Sequence, residues 1–311
     1  MYKPSAFIHS EHYYFKLYRM KTIFLSLLLT PFLAFSQRDW ESIEIKHNPV
    51  TENISFLTGS GGNIGVIYGT DGVMIIDDQF APLSEKIKNS IKTFSDGELN
   101  FVLNTHYHGD HTGGNENFKK DGATIVAHEK VRERLGISFT NSALNREMEA
   151  KSETFWPTIT FSENMTFHFN NEEINIVHIP AAHTDGDAIV HFKTSNVMHT
   201  GDCFVRYGYP YIDVSAGGTI DGIIAAQKMI IEKADSNTKI IPGHGGLASI
   251  DDVKELLSML EATKKIVEEA KQKGEKLEDL IGRKPLAEFH ERWNGNFISS
   301  DLFVQLIYES L

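Results

Sequence analysis

Two packed β-sheets carrying helices on their outer faces are the α/β architecture this sequence predicts. Three observations predict it. Short apolar runs of strand length come in two batches, one ending near Ala127 and one starting near Thr158. Each batch is closed by segments whose apolar residues recur at helical spacing. Residues able to bind a metal recur where strand-like runs end, which is where loops can hold them.

The first batch opens with Ile54–Leu57, Ile64–Tyr68 and Val73–Ile76, which the Gly- and Asp-containing stretches GSGGN and GTDG punctuate as strands. Leu83–Thr93 has helical spacing. Phe101–Leu103 reads as a short buried strand with a histidine-rich run behind it. Ala123–Ala127 is a further strand and Glu129–Leu135 a short helix. The second batch comprises Thr158–Phe161, Thr166–Phe169, Ile174–Ile179, Ala188–Phe192 and Val197–His199. A helix over Ile220–Ala234 leads to a strand, Lys239–Ile241, that ends at Pro242-Gly243-His244. Ile250–Lys273 is a long amphipathic helix, and Leu277–Leu311 reads as helical with breaks at Pro285 and around Gly295. The stretches Gly59–Asn63 and Gly136–Phe155 are expected to be mobile loops.

Composition narrows the class. The chain has 311 residues, 41% of them apolar and 23% charged, an ordinary globular mix. Its net charge of −12 opposes a phosphate backbone, so nucleic acid is not an expected partner. Cys203 is the one cysteine, which excludes an intrachain disulfide. Residues 1–36 read as an N-terminal extension and export signal, and residues 37–311 as one domain with a C-terminal helical segment. Met20-Lys21 precedes an apolar stretch, Thr22–Phe35, with Ser36-Gln37 behind it. That stretch falls short of the ~20 residues a membrane span needs. Translation from Met20, a periplasmic or secreted protein and no stable membrane anchor are the expectations.

The chemistry concentrates in His106-Tyr107-His108-Gly109-Asp110-His111. Core packing does not explain three histidines and an aspartate in six residues. Neighbouring glycines let a tight loop bring such side chains to one point. Imidazole and carboxylate are the donors zinc favours. His183 in PAAHTDGD, Asp202 in HTGDCF and His244 in IPGHGG stand at further strand ends and join the candidate ligands. Seven groups are too many for one tetrahedral ion and suffice for two that share a bridging ligand. Zinc is the expected cofactor, and such His/Asp sites also accept iron or manganese. His47, His128, His168, His178, His191, His199 and His290 are expected to be surface or core residues.

THYHGDHTGG resembles the HxHxDH motif of the metallo-β-lactamase superfamily, and the other motifs appear in that family's order. The resemblance implies a four-layer αββα sandwich with metals at one edge, between the sheets. It implies His106, His108 and His183 as ligands of a first zinc, Asp110, His111 and His244 as ligands of a second, and Asp202 as a bridge. Asp110 would also orient the nucleophile, and Asp77 would support the metal loop from behind. One lactamase branch has a cysteine ligand where Cys203 stands and lacks a histidine at the place of His111; with His111 present, Asp202 is the favoured ligand and Cys203 its neighbour. Arg206 matches a position that binds a substrate carboxylate in that branch. The implied activity is zinc-dependent hydrolysis of a cyclic amide or ester in a small molecule, β-lactams first. A thioester, ester or lactone hydrolase resembling hydroxyacylglutathione hydrolase is the alternative, and a mononuclear-iron oxygenase of the same fold the alternative of another class.

Overall fold

The computed structural model describes residues 38–295 and 297–311, so the apolar run expected as an export signal lies outside the described residues. In chain order the strands are β1 (Lys46–Pro49), β2 (Ile54–Thr58), β3 (Ile64–Gly69), β4 (Gly72–Ile76), β5 (Leu99–Asn104), β6 (Thr124–His128) and β7 (Phe139–Asn141). They continue as β8 (Arg146–Met148), β9 (Ile159–Phe161), β10 (Asn164–Phe169), β11 (Glu172–Ile179), β12 (Asp187–Phe192), β13 (Val197–His199) and β14 (Lys239–Ile241). The helices are α1 (Ser84–Ile91), α2 (Gly109–Thr112), α3 (Asn115–Lys120), α4 (Glu129–Leu135), α5 (Ile220–Lys233), α6 (Ile250–Gln272), α7 (Leu277–Gly282), α8 (His290–Trp293) and α9 (Ser300–Ser310).

The first sheet has the order β1-β2-β3-β4-β5-β6-β9 and the second β10-β11-β12-β13-β14. Each starts as an antiparallel meander and ends in parallel pairing, from β4 onward in the first and between β13 and β14 in the second. Parallel neighbours need a crossover, and α1, α2 with α3, and α5 supply those that carry the chain from β4 to β5, β5 to β6 and β13 to β14.

Alternation along the strands builds the layers. In β4, Met74 and Ile76 face the second sheet, while Val73 and Ile75 lie under Ile87 and Ile91 of α1 and Phe118 of α3. Leu103 and Val126 join Ile174, Ile176, Val190 and Phe192 in the core between the sheets. On the far side, Ile189, Met198 and Ile240 are covered by Ile223 and Ile230 of α5, Leu256 and Leu260 of α6, and Phe303 and Ile307 of α9. The result is the αββα sandwich expected from the sequence. Both faces of each sheet are buried, which is why the central strands read as continuous apolar runs.

Three local features were not read from the sequence pattern. β1 was not anticipated: Lys46-His47-Asn48-Pro49 lacks apolar alternation, because it is a polar edge strand held by its pairing with β2. The Gly136–Phe155 segment contains the hairpin β7–β8, tied down by Asn141 Nδ2 donating to Tyr211 Oη at 2.7 Å. Gly59–Asn63 is stitched in place, with Gly62 N–H donating to Asp110 O (3.1 Å), Gln79 Nε2 to Gly62 O (2.7 Å) and Asn63 Nδ2 to Pro242 O (2.8 Å). Periodicity does not register anchors made by single polar side chains.

Most of the histidines set aside as core or surface residues have such roles. His128 and His178 stack across the two sheets with centroids 3.7 Å apart, and buried His199 donates to Asn63 O. His191 shares the helix-facing side of β12 with Ile189, and burial and the nearby Lys193 and Lys233 lower it from its ordinary 6.5 to about 4. A histidine with a lower pKa folded than unfolded lets the unfolded chain take up the proton first. Its cost to stability is absent above pH 6.5 and grows as pH falls towards about 4. Replacing it by His191→Gln should therefore flatten the fall in melting temperature across that window. An unchanged pH dependence in the variant would exclude the role.

Candidate metal centre

Five strand ends converge at one edge of the sandwich. Asp77 follows β4, His106 to His111 follow β5, His183 follows β11, Asp202 follows β13 and His244 follows β14. A loop was expected after β5. Instead His108 is extended (φ −60°, ψ 146°) and the next residues form the single turn α2. That turn sets Asp110 and His111 on the far side of the cluster from His108.

The donor atoms of His106, His108 and His183 lie within 4.8 Å of one another, as do those of His106, His111 and Asp202 and those of Asp110, His111 and His244. His108 Nδ1 is 3.1 Å from His106 Nε2 and 2.9 Å from His183 Nε2. In the second group His111 Nε2 is 3.3 Å from His244 Nε2, and His244 Nε2 is 3.3 Å from Asp110 Oδ2. Asp202 stands between the groups, with Oδ1 3.3 Å from His111 Nε2 and Oδ2 3.7 Å from His183 Nε2. Ligands bonded tetrahedrally at ~2.0–2.1 Å are separated by about 3.3 Å, so these spacings suit metal coordination.

Which ring nitrogens carry protons follows from the outer partners. His183 Nδ1 donates to Tyr211 O (2.8 Å), His108 Nε2 to Asp213 Oδ2 (2.9 Å) and His111 Nδ1 to Asp77 Oδ2 (2.7 Å). His106 Nδ1 donates to Thr105 Oγ1 (3.0 Å), which donates in turn to Asp77 Oδ2 (2.8 Å). In the first group the inner nitrogens of His106, His108 and His183 are then lone pairs aimed at one another from about 3 Å, an arrangement that repels unless a cation lies among them. Asp202 Oδ1 is likewise buried without a hydrogen-bond donor. The donor set fits a metal cation.

The field is asymmetric. Burial, reinforced by His111 and His183, holds His106 well below its ordinary value, and burial with His108 lowers His183 to about 4. At the other group burial is outweighed: Asp202, Asp77 and Asp110 raise His111, while Asp202 and Asp110 raise His244 to about 9. The carboxylates of Asp110 and Asp202 are held below their ordinary range by His111 and His244 despite burial.

At two glycines beside the centre the backbone admits no side chain. A Cβ on Gly62 would sit 2.1 Å from His111 Cε1, and one on Gly243 2.0 Å from Asp202 Oδ1. Asp77 itself has φ 67°, a left-handed conformation uncommon outside glycine, fixed by its N–H donating to Leu103 O and by its carboxylate contacts.

Two sequence candidates stand outside the donor groups. Cys203 is buried behind the site against Asp187, and burial pushes its thiol well above its ordinary value; among the described residues it joins no metal-binding group. Arg206 is partly exposed, and its guanidinium donates to Gly246 O, Leu247 O (2.7 Å) and Asp252 Oδ1 (3.1 Å), which ties it to the turn leading into α6. Asp213 was missed. It is fully buried and accepts from His108, Tyr107 Oη (2.5 Å) and Ser215 Oγ (2.5 Å). Its only sequence signal is an aspartate before a short turn, which ordinary turns also show.

Comparisons with known proteins agree with this geometry. Residues 57–245 match the model of the metallo-β-lactamase superfamily. A hydroxyacylglutathione hydrolase from Pelagibacter ubique (strain HTCC1062) is 28% identical over 147 residues, 47% of this chain and 52% of that protein. The chain thus spans about half the length of that relative. Metallo-β-lactamase type 2 from Elizabethkingia meningoseptica is 26% identical over 195 residues, 59% of this chain and 70% of that one. Among solved structures, a metallo-β-lactamase from Pontibacter korlensis superposes with a TM-score of 0.58 at 17% identity, covering 70% of this chain and 99% of its own. The DIM-1 metallo-β-lactamase gives 0.57 at 17% identity, covering 71% and 99%. At that identity the structures speak for the fold alone. The family match runs from the end of β2 to the loop bearing His244 and takes in every candidate ligand, and the chain belongs to the metallo-β-lactamase superfamily.

Proposed function

We propose that this chain hydrolyses an ester-type carbonyl bond (ester, thioester or lactone) at a dimetal centre, zinc being the metal its donors favour. The observation that carries the reading is the second donor group: His111, His244 and Asp110 converge with Asp202, while Cys203 is turned away. This is the donor pattern implied by the hydroxyacylglutathione-hydrolase branch. A second reading, opening of a β-lactam amide, draws support from the Elizabethkingia relative. Arg206 is not counted for it, because its guanidinium is hydrogen-bonded to Gly246 O, Leu247 O and Asp252. Export is part of the same proposal and rests on the apolar stretch after Met20-Lys21.

His106, His108 and His183 would hold one ion, and Asp110, His111 and His244 the other, with Asp202 between. The chemistry such a centre supplies when bound is polarisation of a carbonyl and acidification of a water. The chain's own residues do the rest. Asp110 lies at the cleft mouth, its side chain 29% exposed, where its carboxylate can accept a proton from an incoming water. Asp77 and Asp213 fix the imidazoles so that lone pairs, not N–H groups, face inward. In the overall reaction the water oxygen adds to the acyl carbon, the acyl–oxygen or acyl–sulfur bond breaks, and the leaving alcohol or thiol departs with a proton.

Three outcomes are expected. Asp110→Asn should lower kcat by about 10²–10⁴-fold with the fold intact by circular dichroism, and undiminished turnover would remove Asp110 from the mechanism. Asp213→Asn should weaken metal affinity about 10–100-fold, read by chelator competition, since it loosens His108; equal affinity would show that Asp213 only packs. Arg206→Ala should lower the melting temperature without a selective rise in KM for anionic substrates. Such a selective rise would restore Arg206 to the substrate site.

A further inference from the structure

The metal cleft continues into an aromatic wall. Tyr211 has its ring centroid 6.0 Å from His108 and 5.8 Å from His183, and Tyr207 lies 5.5 Å from His244. Phe297 touches both tyrosines, at 6.0 Å from Tyr207 and 5.9 Å from Tyr211. It comes from the C-terminal segment, far from the motifs in sequence. Its neighbour Ile298 is completely buried, as is most of Trp293, yet Phe297 itself is 53% exposed, the highest value among the large apolar side chains that stand out from the described surface.

Its position is fixed, not incidental. Tyr209 N–H donates to Trp293 O (2.8 Å), and Gly295 N–H to Ile298 O (3.3 Å). The two backbones approach so closely that a Cβ on Gly208 would meet Trp293 O at 2.5 Å and one on Gly295 would meet Tyr207 O at 2.7 Å. Two glycines therefore clamp the C-terminal segment against the stretch that carries Tyr207 and Tyr211. The segment is anchored by buried residues, and Phe297 stands exposed against Tyr207 and Tyr211.

The charged group that would recognise an anionic substrate, Arg206, is bound to Asp252 and two carbonyls. On this side the donors are bordered by the rings of Tyr207 and of the buried Tyr211, and Phe297 stands exposed beyond them.

We propose that Tyr207 and Phe297, backed by the buried ring of Tyr211, form a specificity subsite that selects carbonyl substrates whose acyl group is uncharged and apolar, several carbons long. The proposal rests on the hydrolase reading for the bond that is cleaved, and on geometry alone for the group that is bound. An alkyl chain leaving the metal cleft towards Phe297 removes both its own surface and the exposed ring from water.

The test uses uncharged pairs that differ only in acyl length. Hydrolysis of ethyl hexanoate and ethyl acetate is followed by pH-stat titration in the zinc-loaded wild type, Phe297→Ala and Phe297→Leu. Binding of hexanamide and acetamide to the zinc-loaded and the chelator-treated protein is measured by ligand-observed NMR. The wild type should prefer hexanoate, and the hexanoate-to-acetate ratio of kcat/KM should fall about tenfold in Phe297→Ala and recover in part in Phe297→Leu. Hexanamide should outbind acetamide with and without zinc, and lose that advantage in Phe297→Ala. Hexanamide preference that depends on Phe297 without hydrolysis of either ester would keep the subsite and remove the hydrolase reading for esters. Ester hydrolysis with no dependence on acyl length or on Phe297, and no amide preference, would overturn the subsite and leave the hydrolase standing. Absence of both would overturn both.

Discussion

The buried carboxylate of Asp77 is the contact on which the centre depends. It accepts from Thr105 N–H at 2.7 Å, from Thr105 Oγ1 at 2.8 Å and from His111 Nδ1 at 2.7 Å. Through Thr105 it also reaches His106. One side chain thus sets the tautomer of a histidine in each donor group. It does so from the end of β4, a central strand buried on both faces. The strained backbone of Asp77 is held because the surrounding sheet leaves it no alternative.

Around that anchor the two sheets divide the labour. The first carries Asp77 and the His106–His111 run, and the second carries His183, Asp202 and His244. The apolar core between the sheets brings these sets together, so packing energy holds like polar groups at separations they would not choose alone. Asp213 and Tyr211 O complete the support from the second half, just as Asp77 does from the first.

Most of this frame was legible in the sequence. Strands such as Val197–His199 and Lys239–Ile241 were found because both faces of each sheet are covered, which leaves unbroken apolar runs. The candidate ligands were found because histidine and aspartate clustering beside glycine has no packing explanation. What escaped has physical reasons. β1 is polar because it is an edge. The β7–β8 hairpin is held by Asn141 through hydrogen bonds to residues some seventy positions away, which no local pattern records. Asp213 is invisible for the same reason. Arg206 stood at a suggestive spacing, but spacing does not report that Asp252 competes for the same guanidinium.

The glycines at the centre have a consequence for how such a protein can change. Gly62 and Gly243 leave no room for a methyl group against His111 and Asp202. Random substitution at those positions ends in collision, so that part of the cleft is closed to gradual variation. Phe297 is different: its ring is half in solvent, and shorter or more polar side chains fit there without displacing anything. Inherited change in what the protein accepts is thereby channelled to the end of the chain, where the old chemistry can be kept while its clientele is replaced.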